Sequence, residues 1–111
     1  MQKLRFALEY HCDPVWVLDR NRLVNAGLPE DLMSETKLVQ LLKDISADYD
    51  SAFIDTSVEF SYKGFPDKEK ETEFDKKLYK AIELLKKAAA DKYEVEIDSV
   101  LTEELSYLTD N

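Results

Sequence analysis

Cysteine and histidine each occur once in these 111 residues, as Cys12 and His11. A lone cysteine excludes an intrachain disulfide, and a lone histidine excludes a histidine-rich metal site within the chain. With 2 glycines and 3 prolines there is no glycine-rich phosphate loop and no low-complexity linker. Arginine is scarce too, since only Arg5, Arg20 and Arg22 occur, and no arginine clamp stands out. No apolar stretch approaches the roughly 20 residues that a membrane span needs. Lys3, Arg5 and Glu9 interrupt the first ten residues, where a signal peptide would keep one apolar run. The expectation is a cytoplasmic protein, and the single cysteine suits a reducing compartment.

What is present is enough apolar material for one core, at 44% hydrophobic and 11% aromatic residues, and a large excess of acid. The length predicts a single domain over 1–111, with the tail after about residue 99 either a short helix or a loose end. Lys and Arg number 15 against 24 Asp and Glu, a net charge of −9. Residues 1–34 sum to −1, 35–66 to −3, 67–92 to +1 and 93–111 to −6. Nucleic acid is a poor partner for such a chain, because binding it means replacing counterions with Lys or Arg. The one lysine-rich stretch, Lys68 to Lys92, cancels its own charge. The acidic segments suit either a basic partner or plain solvation.

Periodicity gives the order β-β-β-α-β-α-β. Leu4, Phe6 and Leu8 alternate with polar residues as on a half-buried strand. Asp13-Pro14 breaks the chain, and Val15 to Leu18, a turn at Asp19 to Arg22, and Leu23-Val24 read as a hairpin. Ser34 is placed to cap a helix whose face is Leu38, Leu41, Leu42, Ile45 and Tyr49. Phe53-Ile54 and Val58 to Tyr62 flank a polar turn. A second helix spans about Asp67 to Ala90, with Glu73–Lys77 and Glu83–Lys87 as supporting i,i+4 pairs. Tyr93, Val95 and Ile97 alternate with Glu94, Glu96 and Asp98, a strand with one wholly acidic face. The predicted fold is α+β, a two-layer, mostly antiparallel sheet of about four to five strands with two helices packed on one face.

Few residues suggest chemistry. His11 and Cys12 are adjacent, but successive strand residues point to opposite faces, so a thiolate–imidazole pair needs a sharp turn. Asp48, Asp50 and Glu59 sit at positions 1, 3 and 12 of a calcium loop, yet the glycine required at position 6 is Phe53. No carboxylate pair stands apart from the general abundance of acid. Trp16 alternates with Val15 and Val17 and is either core or cover for an open sheet face. Tyr49, Tyr62 and Tyr93 lie beside acids, and each ring is either part of a surface that buries ring area while selecting basic partners or packed inward with its hydroxyl at the edge.

Four stretches carry a resemblance: Tyr10 to Asp19 (YHCDPVWVLD), Gly27 to Leu32 (GLPEDL), Asp48 to Asp55 (DYDSAFID) and Glu59 to Phe65 (EFSYKGF). Together they resemble small acidic proteins of Gram-positive bacteria, some encoded near secreted polymorphic toxins. The resemblance covers about residues 3–98 and implies an immunity protein that binds and blocks a cognate toxin. Its motifs are structural and carry no binding residues over.

The charge map supplies those. Asp48, Asp50, Asp55 and Glu59, with Tyr49, form one expected partner-binding patch; Glu94, Glu96 and Asp98, with Tyr93, form the other. The expectation is a non-enzymatic binding protein with no cofactor, no metal and no catalytic residues. Its partner is basic, a cognate toxin, and the chain itself is a monomer or a homodimer. The alternatives are an adaptor that homodimerises through its sheet, and a small hydrolase or metal-dependent enzyme.

Overall fold

The structure, a computed structural model, describes residues 1–109. The sheet grows from a tight hairpin between β2 (Val15–Asp19) and β3 (Arg22–Ala26). Arg20 and Asn21, the two residues of its turn, have φ of 52° and 65°. Two left-handed residues match the twist of the flanking strands, and asparagine tolerates that conformation well. β1 (Lys3–Phe6) pairs antiparallel with β2 on one side. On its other side lies β6 (Glu94–Ile97), parallel to β1, so the strand order is β3-β2-β1-β6.

Register sorts the side chains onto two faces. Val17, Leu4 and Val95 form one inward row, and Val15, Phe6 and Ile97 the next. Against them pack α1 (Thr36–Ser51), through Leu38, Leu42 and Ile45, and α2 (Lys68–Ala89), through Leu78, Ile82 and Leu85. Burying each such side chain contributes on the order of 1.5–3 kcal/mol. The opposite face is open. Its rows are Leu18, Lys3, Glu94 and Trp16, Arg5, Glu96. Trp16 is therefore the half-buried cover of the open face and not a core residue.

The mixed α+β architecture and the antiparallel-dominated sheet agree with the sequence reading. Two details differ. The segment from Phe53 to Tyr62 does not join the main sheet. It folds on itself as β4 (Phe53–Asp55) and β5 (Phe60–Tyr62), a separate antiparallel pair. Its turn is held by the Thr56 hydroxyl, which accepts from the backbone N–H of Val58 and Glu59 at 3.3 and 3.0 Å. Ser34 does not cap α1, where Glu35 holds the cap position without a side-chain hydrogen bond. Asp67, in contrast, caps α2 by accepting from Lys70 N–H at 2.8 Å.

The tail forms two short helices, α3 (Ser99–Glu104) and α4 (Ser106–Thr109), with Leu101 and Leu105 buried in the core. Asp98 caps α3, accepting from Val100 N–H at 3.2 Å. The last two residues, Asp110 and Asn111, lie outside the described residues.

Candidate functional site

The first acidic patch gathers where α1 ends and the β4–β5 hairpin begins, but its members differ in charge. Asp48 meets Lys77 of α2 at 2.7 Å and is neutralised by it, while Glu73, the expected partner of Lys77, pairs with Lys70 at 3.7 Å. The hydrogen bond to Asp48 raises the Lys77 ammonium above its ordinary value. Asp50 accepts the backbone N–H of His11 at 2.9 Å, and Asp55 accepts the Tyr10 hydroxyl at 3.1 Å. Glu59 accepts from the Ser61 hydroxyl at 3.4 Å. These three donors are neutral, so none of them offsets the charge of Asp50, Asp55 or Glu59.

Aromatic rings lie among these acids. Tyr10 packs against His11, Phe53 and Phe60 at centroid distances of 4.1, 4.6 and 5.1 Å. Phe60 and Val58 stand in solvent, 59% and 93% exposed. Tyr49 is half-buried between Phe53 and Phe74, at 5.1 and 6.4 Å, and forms the floor of the cluster instead of a projecting anchor.

The second patch is largely compensated. Glu96 is bridged by Lys3 at 3.3 Å and by Arg5 at 2.5 Å. The Arg5 hydrogen bond, with Lys3 second, holds the Glu96 carboxyl below its usual range. Asp98 lies 3.9 Å from Arg5 and spends its other contact on the α3 cap. The Tyr93 hydroxyl donates to Asp31 at 2.7 Å, which ties β6 to the loop before α1. Of this set Glu94 alone is well exposed, and Lys3 is its register neighbour on β1.

A third group was not singled out from the sequence. The β4–β5 hairpin, α2 and α3 enclose a groove of about 970 Å³. Asp75 of α2 lies at its base, 8% exposed, and accepts the Tyr107 hydroxyl at 2.8 Å. Burial pushes the Asp75 carboxyl up, and Glu71 adds to the effect. Glu104 is pushed up by burial and by Asp75 and Glu71. The Tyr107 phenol rises to about 12, through burial first and then its bond to Asp75. Asp75 sits on the polar edge of a helix otherwise read as core and charged surface. The spacing of Glu71 and Asp75, four residues apart on one helix face, was the available signal.

His11 has a left-handed φ of 59° and its ring lies against Tyr10, while the Cys12 carbonyl accepts the Ser46 hydroxyl at 3.3 Å. Among the described residues no group of three or more His, Cys, Asp or Glu is arranged to hold a metal ion, and Asp48, Asp50 and Glu59 do not converge on one point. No helix among the described residues is long and apolar enough to cross a membrane.

Residues 2–99 match a family described as Serratia CdiI immunity protein-like. The match bears on the immunity class of the resemblance and not on its Gram-positive setting. No curated protein matches the chain.

Proposed function

The chain belongs to the Serratia CdiI immunity protein-like family, and on that footing we propose that it neutralises a cognate toxin by covering a basic active surface. The work is done by binding and not by catalysis, in the cytoplasm that the toxin would otherwise attack. The observation that carries the reading is the uncompensated patch at the hairpin. Asp50, Asp55 and Glu59 accept only from neutral donors, and Phe60 stands exposed among them. An exposed ring supplies buried area at low entropic cost, and the acids select and steer a basic partner. Steered association reaches roughly 10⁸–10⁹ M⁻¹s⁻¹ and falls steeply with salt. The second patch contributes less, because Lys3 and Arg5 already meet Glu96.

The test uses the polypeptide encoded by the reading frame beside this gene. Co-expression should rescue cells from it. The triple variant Asp50→Lys, Asp55→Lys, Glu59→Lys should slow association at least about tenfold and flatten its salt dependence. Unchanged association in that variant would remove the hairpin patch from the interface, and failure to rescue would remove the immunity assignment.

A further inference from the structure

We propose that the groove between the β4–β5 hairpin, α2 and α3 receives a lysine or arginine side chain of the toxin, its cation against Asp75 and Glu104 and its stem along the rings of Tyr62 and Tyr107. This rests on the immunity reading and names the chemistry of the contact at its deepest point.

Shape, rings and charge each favour a cationic side chain. At about 970 Å³ the groove has room for a long side chain and some of its flanking backbone. Tyr62 and Tyr107 remain 56% and 47% exposed along its walls, and phenol rings attract a cation over their faces. Tyr49, Phe53 and Phe74 add an apolar stretch to the lining, a surface suited to an aliphatic stem.

The charge at the base is unbalanced. Asp75 accepts from a neutral phenol, and among the described residues no cation lies within ion-pair distance of Asp75 or Glu104. The nearby cations stop short of an ion pair with either carboxylate, and Lys68 lowers the Asp75 carboxyl only from a distance. Lys68 reaches Glu71 at 3.6 Å with its side chain 82% exposed, Lys63 lines the rim, and Arg5 bridges Glu96 and approaches Asp98. Burial first, and neighbouring carboxylates second, push the Asp75 and Glu104 carboxyls upward, and an incoming cation would act against that shift.

Position also fits. The groove shares Phe53 and Tyr49 with the aromatic cluster under Asp50, Asp55 and Phe60, so one partner can cover both. Its far wall, Glu104 and Tyr107, lies beyond residue 99, where the family match ends. That wall is the part of the surface suited to setting which toxin is accepted.

The probes are the blocked tripeptides Gly-Arg-Gly and Gly-citrulline-Gly, titrated into the isotope-labelled full chain and followed by NMR. Citrulline keeps the size and planarity of arginine and removes the charge, with a carbonyl oxygen in place of one NH2 group. The arginine peptide should shift the amides of Asp75, Glu104 and Tyr107, and the citrulline peptide should not. The isosteric pair Asp75→Asn, Glu104→Gln should weaken that binding about tenfold, and binding should be weaker at about pH 5 than at about pH 7. Shifts confined to Asp50 and Asp55, equal shifts with citrulline, or indifference to the pair of substitutions would overturn the proposal. With the toxin itself, the same pair should raise Kd about tenfold through faster dissociation, leaving the association rate near wild type. Undiminished toxin affinity would sink the groove and leave the immunity reading standing. Absence of toxin binding by the wild-type chain would sink the immunity reading, and the peptide titration would still judge the groove.

Discussion

Tyr107→Phe removes one oxygen from the surface of the protein and should cost about 1–2 kcal/mol of stability. The phenol donates to a carboxylate that is only 8% exposed, at 2.8 Å. Stripping a donor from a buried charged acceptor costs roughly 1–3 kcal/mol or more. The Tyr107 ring is 47% exposed, so water can reach part of the vacated space, and the lower half of that range applies. Asp75→Asn acts differently. Burial already disfavours the Asp75 charge, and the amide oxygen can still accept from Tyr107, so the single change should stay within about 1 kcal/mol of neutral. When Asp75→Asn is already in place, the Tyr107→Phe cost should shrink by about 0.5–1 kcal/mol, because no buried charge is then stranded. Urea unfolding of the four proteins at pH 7 measures the cycle. Equal costs of Tyr107→Phe in both backgrounds would refute the claim that the hydroxyl serves a buried carboxylate.

The same cycle has a pH signature. The Asp75 and Glu104 carboxyls are raised in the folded chain, above ordinary values of 3.8 and 4.5. Below those ordinary values the folded state has its full advantage from holding the protons, and that advantage is lost as pH rises through the folded-state values. Acidification from neutral should therefore relieve the groove before it damages the rest. Glu96 runs the other way. Its lowered carboxyl contributes stability above 4.5 that disappears as pH falls through the folded-state value. Stability should pass through a maximum on the acid side of neutral, and Asp75→Asn with Glu104→Gln should flatten the rise toward it.

Ala90 ends α2 at φ 45°, ψ −121°, a conformation that favours glycine. Ala90→Gly should stabilise by about 1 kcal/mol, read as a higher urea midpoint with an unchanged slope. Leu85 is fully buried between helix and sheet, and Leu85→Ala should cost about 2–5 kcal/mol in the same assay. Tyr10, Tyr49, Tyr62, Tyr79, Tyr93 and Tyr107 all have phenols raised above 10.0, by burial or by a neighbouring carboxylate. Their contribution is fully present below 10.0 and is lost as pH rises through the folded-state values, so the phenolate absorbance of the folded chain should appear later than that of the unfolded chain.

Periodicity made the local structure legible. The alternation of Leu4 and Phe6, the helical stripe from Leu38 to Ile45 and the alternation of Val95 and Ile97 each fall on the core face. A turn at Arg20 and Asn21 followed from residue chemistry alone. Neighbour relations were not legible, and they decided the site. Glu94 and Glu96 look wholly acidic along the strand, but nothing local announces that β1 lies alongside in parallel and brings Lys3 and Arg5 into register with them. Asp48 looked equivalent to Asp50 until α2 delivered Lys77 to it. Tertiary pairing thus converts a sequence-level count of acids into two kinds of carboxylate, those spent inside the fold and those left to attract something else. The second kind collects at the hairpin, on Asp50, Asp55 and Glu59, and in the groove, on Asp75 and Glu104. On the sheet Lys3 and Arg5 already meet Glu96, whereas among the described residues no cation meets the hairpin acids, which argues that a basic partner approaches from the hairpin side.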